Sequence, residues 1–337
     1  MILVTAIDAG LSADPQTDLN YHLLKTIPVG GDGAVNSLTL DAQTRRLYVA
    51  HGSKVVVVDL EQDRVTGLIT NTPGVFEFVP VDQYSVGFSS DGDEDRLGLI
   101  KLKTLRTRFK LKAGKNPGAI VYDSSNQLIY AFNRGDNSFS LYESDDGDPV
   151  STTALAGKPA FAVLDPQAGR MYCNLEDKNL VSVIDTASHQ VLKDWPIGPG
   201  ESASGIALDT SHHRLFLGCH GNNRLEMMDS ATGNVINSVP TGLSAGTTVF
   251  DADNQLVFSA NGEGNVTIAH EDSPDTLSAV QTLTTCPGAN SMALDPKSHN
   301  IYVAAADYAS GAQLTPNAGE QPSAMVPGSV KILVYGR

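Results

Sequence analysis

The sequence has few cysteines, one tryptophan and no long apolar run. Its three cysteines, Cys173, Cys219 and Cys286, form no Cys-x-x-Cys motif. Zinc ribbons, thioredoxin-like redox pairs and covalent haem attachment are therefore unsupported. The odd number leaves at least one thiol outside any intramolecular disulfide. No segment approaches the 18 consecutive apolar residues of a transmembrane helix, so we expect no membrane span.

Positive charge is also scarce. The chain has 23 Lys and Arg residues against 38 Asp and Glu residues, a net charge of −15. An acidic surface repels phosphate backbones, so we expect no nucleic-acid partner. The basic residues between Lys101 and Lys115 alternate with other residues, which is typical of the solvent face of an outer strand pair.

The first residues carry no targeting signal as they stand. Residues 1–7 are apolar, but this stretch is short, Asp8 interrupts it, and no basic segment precedes it. We therefore interpret residues 1–20 as an N-terminal extension and residues 21–337 as one domain.

An internal repeat dominates the rest of the chain. An apolar segment that ends in aspartate occurs seven times, at intervals of 41 to 44 residues. The aspartates are Asp41, Asp82, Asp123, Asp165, Asp209, Asp251 and Asp295. Each is followed within seven residues by an aromatic residue, in order Tyr48, Phe88, Tyr130, Tyr172, Phe216, Phe258 and Tyr302. We predict that this aromatic column is buried between adjacent repeats.

Two further apolar segments follow in each of the first six repeats, and Gly, Pro, Asn and Asp separate the segments, as hairpin turns require. Four short strands in roughly 42 residues are typical of a propeller blade. No helical periodicity competes with this pattern. The sequence therefore predicts an all-β, seven-bladed β-propeller with four antiparallel strands per blade.

The last repeat lacks its fourth strand. Residues 21–30 (YHLLKTIPVG) are similar to residues 189–198 (HQVLKDWPIG), which form a fourth strand. We predict that residues 21–29 pair with residues 331–335 and complete the C-terminal blade from outside, with Leu23, Ile27 and Val29 packed inward and an irregularity at Leu24. Such closure removes the strand edges that promote aggregation.

The third strands with their turns, residues 181–191 (VSVIDTASHQV) and 227–235 (MMDSATGNV), resemble those of the YVTN-repeat propellers. The resemblance is closer to the YncE-like group, through HEDSPD at 270–275, NLEDK at 174–178 and MVPGS at 325–329. It covers about residues 21–337 and implies the same fold in an exported protein, periplasmic or secreted. It implies little about chemistry. We interpret residues 270–275 as a longer turn of blade six.

The channel mouth is expected to be neutral. Residues that enter the innermost strands in the YncE-like group are often acidic or histidine. Here several of these positions hold uncharged residues, namely Asn36, Phe76, Gly118, Ala160, Ala203 and Asn290. The sequence therefore predicts an apolar mouth without a charged or metal-bearing channel.

Candidate ligand-binding residues lie where the strand two–three and strand four–one loops meet around the channel. The ends of the second strands vary around the ring, which favours a ligand site, although turns also select Asn and Asp for backbone reasons. The candidates are Asn36, His51, Phe76, Glu77, Asp91, Asn133, Glu176, His220, Asn261, Cys286, Asn290 and Tyr308.

Metal and catalytic motifs are missing from the sequence. His51 and His220 with Asp91 or Glu176 have suitable side chains for a metal or a proton shuttle, but no ligand spacing supports one. We therefore expect no metal and no cofactor. Cys286 is interpreted as an inert thiol, because no neighbouring base is visible in the sequence.

Residues 307–328 form an insertion in blade seven on the same face. Long loops in compact domains are usually functional or unstructured. Tyr308, Leu314 and Met325 give the insertion apolar anchors, so we predict a lid over part of the channel, with an exposed linker as the alternative.

Three functions are compatible with the sequence. The first is a monomeric binding module that holds a small molecule or a protein at the channel face. The second is an enzyme of the lyase or lactone-hydrolase type with its active site at the same mouth. The third is a redox partner like the propeller subunits of quinoprotein amine dehydrogenases, which the missing haem motif and the lone Trp195 disfavour.

Overall fold

The computed structural model describes residues 20–31, 33–309 and 325–337. Within these ranges, seven antiparallel four-stranded sheets form, and the helical elements are two short 3₁₀ turns, Asp82–Tyr84 and Gly92–Glu94. None of the helices in these ranges is long and apolar enough to cross a membrane. The predicted seven-bladed β-propeller is confirmed.

Six blades use four consecutive strands each, which follow one another from the channel outward. Blade one contains β2 (Val35–Asp41), β3 (Arg46–His51), β4 (Lys54–Asp59) and β5 (Arg64–Thr70). Blade two contains β6 (Val75–Val81), β7 (Val86–Asp91), β8 (Arg96–Lys101) and β9 (Arg106–Lys112). Blade three contains β10 (Pro117–Asp123), β11 (Leu128–Asn133), β12 (Ser138–Glu143) and β13 (Pro149–Ala154). Blade four contains β14 (Pro159–Asp165), β15 (Arg170–Leu175), β16 (Leu180–Asp185) and β17 (Val191–Pro196). Blade five contains β18 (Ala203–Asp209), β19 (Arg214–Cys219), β20 (Arg224–Asp229) and β21 (Val235–Pro240). Blade six contains β22 (Ala245–Asp251), β23 (Leu256–Asn261), β24 (Asn265–Ser273) and β25 (Thr276–Thr284).

Blade seven combines the two ends of the chain. It contains β26 (Met292–Leu294), β27 (Ile301–Ala305) and β28 (Lys331–Gly336), with β1 (His22–Pro28) as its outermost strand. The predicted closure is confirmed, and the register skips Leu24 as expected. Leu23 was expected to pack inward but is 50% exposed, because the irregularity turns this edge position to solvent, and only Ile27 of β1 is buried.

The repeated aspartates close the turn between the first and second strands. In blade three, Asp123 Oδ1 accepts the N–H groups of Ser125 and Asn126 at 2.9 and 3.2 Å. The turn then passes through Gln127 with φ of 58°. Asp41 makes the same pair of backbone contacts in blade one. This Asx-type bonding explains the short acidic residue in these blades, whereas in blade two Asp82 begins a 3₁₀ turn.

The hydrophobic core is divided among the interfaces between blades. Seven clusters of buried residues occur in the described ranges, and each combines side chains of two adjacent blades. The seven residues of the aromatic column are all buried in these clusters, which confirms that prediction. The rigid ring therefore leaves the loops around the channel free to form a site.

Candidate functional site

A cavity of about 610 Å³ opens on the axis of the ring. Its wall includes residues from all seven blades, supplied by the starts of the inner strands and by the loops after the second strands. The wall contains Asn36, Phe76, Asp93, Arg134, Phe161, Glu176, Leu243, Glu263, Asn290, Tyr308 and Met325. Its size is typical of small-molecule sites, which are usually about 300–1,000 Å³.

Two phenylalanines meet inside this cavity. The rings of Phe76 in β6 and Phe161 in β14 lie 5.4 Å apart at an angle of 43°. Both are only half-buried, although they come from innermost strands. Aromatic side chains contribute most of their free energy by burying their large apolar surface. The pair therefore gives the cavity an apolar wall that is still open to a ligand.

Arg134 extends this wall. It directly follows β11, and its guanidinium carbon lies 5.1 Å from the centre of the Phe76 ring. Gly118 of β10 makes the position possible, because a Cβ there would lie 2.6 Å from Arg134 Cδ. The cation thus lies over an aromatic face, a contact that strengthens when water is excluded.

Glu176 connects Arg134 to two further basic side chains. Its carboxylate lies 3.5 Å from Arg134 Nη2, 3.0 Å from Lys158 Nζ and 3.0 Å from His220 Nε2. The hydrogen bond with His220 is the largest cause that lowers the pKa of Glu176 to about 2, and Lys158 and Arg134 add to it. Glu176 is therefore a fixed anion that orients three donors at the mouth.

The opposite side of the cavity is more open. Leu243 exposes half of its surface there. The two ends of the blade-seven insertion meet at the rim, where Tyr308 and Met325 form an isolated β-bridge. Residues 310–324, including Leu314, lie outside the described residues, so the lid remains a prediction.

The structure brings five of the predicted site residues to the cavity: Asn36, Phe76, Glu176, Asn290 and Tyr308. Asn36 also links blades, because its Nδ2 donates to the Val75 carbonyl at 2.8 Å. His220 contacts the cavity through its bond with Glu176.

Four other candidates lie inside the blades and do not line the cavity: His51, Asp91, Asn133 and Asn261. They bond within or beside their own blades. Asp91, for example, pairs with Lys110 Nζ at 2.6 Å. Neighbouring side chains on a strand point to opposite faces, so the last residue of strand two turns inward while the next residue reaches the mouth. If the candidate in blade three had been taken one residue later along the chain, the sequence would have identified Arg134 as a site residue.

The last two candidates have other surroundings. Glu77 Oε2 accepts the N–H of Ile120 at 2.7 Å, which links blades two and three, and burial raises the pKa of Glu77 to about 7. Cys286 lines a separate shallow depression with Tyr21 and Tyr335, away from the axial cavity.

The expectation of a neutral mouth is wrong. The inner-strand positions are uncharged as the sequence indicated, but the loops after the second strands bring four charged side chains to the wall: Asp93, Arg134, Glu176 and Glu263. Phe161 was also missed, because the irregular pairing at the start of β14 decides which of its residues face the channel.

Comparison with solved structures supports the fold. A chain of the mitotic checkpoint complex crystal structure is similar, with a TM-score of 0.74 and 14% identity, over 90% of this chain and 95% of that chain. At this identity the likeness shows the fold alone. No family model and no curated protein matches the chain.

Proposed function

We propose that the protein is a binding module that holds a small molecule with a flat, largely apolar group at the channel mouth. The arrangement of Phe76, Phe161 and Arg134 around one concave cavity carries this proposal. Half-exposed aromatic rings beside a guanidinium that lies over one of them favour a planar ligand, because such a group can cover both rings and the cation together.

The charges at the mouth favour binding over catalysis. A general acid or base works best with a pKa near the operating pH. Glu176 is far from that condition, because His220 and its other basic neighbours lower its pKa to about 2. Glu176 is therefore better suited to hold Arg134, Lys158 and His220 in an orientation that a ligand can use. Polar groups fixed in this way supply specificity in an otherwise apolar site.

A thermal-shift screen of planar small molecules tests this proposal, because a ligand that binds only the folded state raises the melting temperature. The informative variant is Phe76→Ala. Phe109→Ala is a matched control, since Phe109 is half-exposed on β9, far from the axis, and also carries an arginine, Arg108, 4.8 Å from its ring.

We expect to find compounds that raise the melting temperature of the wild type and of Phe109→Ala. The same rise in Phe76→Ala should need at least a tenfold higher concentration of the compound. Compounds that stabilise all three proteins equally would place binding elsewhere. A broad panel without any stabilising compound would count against the small-molecule proposal and favour a protein partner at this face.

A second candidate is an enzyme of the lyase or lactone-hydrolase type. The 3.0 Å contact between His220 and Glu176 favours it, because a carboxylate that orients a histidine is a recurring device of acid–base catalysis. Turnover of a lactone panel by the wild type, with loss of turnover in His220→Gln, would support this candidate over simple binding.

We further propose that the chain is one domain from residue 21 to residue 337, that it belongs to the YncE-like YVTN propellers, and that it is exported. The motifs at 174–178, 270–275 and 325–329 support the family, and export rests on that resemblance. Fractionation of cells that express the natural gene tests export, and recovery in the cytoplasm would refute it.

A further inference from the structure

Blade six differs from blades one to five at one structurally repeated position. In blades one to five the residue directly after the third strand is buried, and its N–H donates to the carbonyl of the left-handed residue in the first turn of its own blade. Glu271, which lies within β24, is also buried and makes the same hydrogen bond to Gln255 in blade six. In blades one to six this position holds Leu60, Leu102, Ser144, Thr186, Ser230 and Glu271. Among these six blades, only blade six has an ionisable side chain here, where the others have apolar or hydroxyl side chains.

Blade five differs at the position that faces Glu271. The third residue after the repeated aspartate usually donates to the second oxygen of that aspartate, as Thr44, Asn126, Asn254 and Ser298 do. In blade five this residue is His212, whose Nδ1 lies 2.7 Å from Asp209 Oδ2. The same nitrogen lies 3.3 Å from Glu271 Oε1.

Asp209, His212 and Glu271 therefore form one cluster across the interface of blades five and six. One ligand atom from each lies within 4.8 Å of the others. Asp209 Oδ1 accepts two hydrogen bonds from Ser211, at 2.8 and 2.5 Å, which leaves Oδ2 directed toward His212. His212 is about one third exposed, so the cluster can be reached from solvent.

The Glu271 side chain is fully buried, and neither of its carboxylate oxygens receives a hydrogen bond. Buried carboxylates are costly unless a cation or several donors compensate them. The nearby Arg214 is already engaged by other groups: the Pro274 carbonyl, Asp229 and Asp275. The interface thus contains a carboxylate that is aimed at Asp209 and His212 and lacks a donor of its own.

We propose that Asp209, His212 and Glu271 bind a divalent transition-metal ion that bridges blades five and six. Two carboxylate oxygens and an imidazole nitrogen suit Zn²⁺ and similar ions, whereas Mg²⁺ and Ca²⁺ prefer oxygen ligands throughout. Ligand atoms around Zn²⁺ lie at about 2.0–2.2 Å from the metal, so ligand atoms that are within 4.8 Å of one another can approach a shared ion.

The competing interpretation is a carboxyl–carboxylate pair without metal. Burial and the charge of Asp209 raise the pKa of Glu271 to about 7, so Glu271 can share a proton with Asp209. The two interpretations predict different results when Zn²⁺ is added to the protein. Only the metal site predicts that the protein binds Zn²⁺ and that removal of the Glu271 carboxyl group weakens this binding.

Metal-free protein without an affinity tag, titrated with ZnCl₂ by calorimetry and by thermal unfolding, tests the proposal. Glu271→Ser removes the ligand and introduces the residue type that blade five has at this position, so we expect it to fold. His212→Gln removes the imidazole. His270→Gln is the matched control, because His270 is as exposed as His212 but pairs with the exposed Asp272, at 2.7 Å.

We expect one equivalent of Zn²⁺ to bind the wild type and His270→Gln and to raise the melting temperature by several degrees, with MgCl₂ and CaCl₂ much weaker. Glu271→Ser and His212→Gln should bind Zn²⁺ at least tenfold more weakly. Absence of stoichiometric binding in the wild type, or equal binding by Glu271→Ser, overturns the proposal and leaves the shared proton.

Discussion

Gly118 and Arg134 are sterically coupled at the channel mouth, since a Cβ on Gly118 would lie 2.6 Å from Arg134 Cδ. We therefore expect Gly118→Val to displace Arg134 from Phe76 and to weaken ligand binding as strongly as Arg134→Ala. A double-mutant cycle on the binding constant checks this. Additive effects of the two substitutions would show that Gly118 acts independently of Arg134.

Glu176 should make stability depend on acid pH. Its pKa falls from the usual 4.5 to about 2, chiefly through His220, so its stabilisation is present above pH 4.5 and disappears as the pH falls toward 2. At about 1.4 kcal/mol per pKa unit, the carboxylate contributes roughly 3 kcal/mol at neutral pH. Urea unfolding of the wild type and Glu176→Gln should differ by about this amount at pH 7 and far less at pH 2. A difference that does not change with pH would contradict the ion pairs.

The aromatic column should contribute strongly to stability. Phe216 is fully buried, so Phe216→Ala leaves a cavity between blades five and six and should cost about 3–5 kcal/mol of unfolding free energy. Phe109→Ala, at a half-exposed phenylalanine, should cost about 0.5 kcal/mol or less. Equal losses in chemical denaturation would mean that the column is not the main packing element of the interface.

Deletion of residues 1–30 should open the ring. It removes β1 together with Tyr21, whose ring packs 5.2 Å from Phe258 and whose hydroxyl donates to the His299 carbonyl. The buried side chains of Tyr21 and Ile27 contribute about 1.5–3 kcal/mol each, so we expect a loss of several kcal/mol and association through the exposed edge of β28.

Deletion of residues 1–19 is the control for this prediction, because it leaves Tyr21 and β1 in place. Size-exclusion chromatography and thermal unfolding should separate the two truncations clearly. If the longer truncation stays monomeric with an unchanged melting temperature, the ring is held closed by contacts other than β1.

The features that the sequence predicted well are those that recur in every repeat. Asp123 lies in a turn and Tyr130 in an interface between blades. Both can be recognised because the same residue type recurs at the same place in all seven repeats. The site does not repeat. Whether Asn133 or Arg134 faces the cavity depends on one position at the end of a strand, and the contact of His212 with Glu271 joins two blades that no short motif connects.

The pairing of β1 with β28 has a mechanical consequence. In every other blade the paired strands follow one another along the chain, whereas this pair is held by hydrogen bonds and side-chain packing only. His22 lies opposite Gly336, so a force applied to the first residue of β1 and the last residue of β28 acts at the same end of the pair. Such a load breaks the hydrogen bonds one after another, as in a zipper, and does not shear them together. Tension between these two strand ends would therefore open the ring at this seam before it disturbs the other six blades.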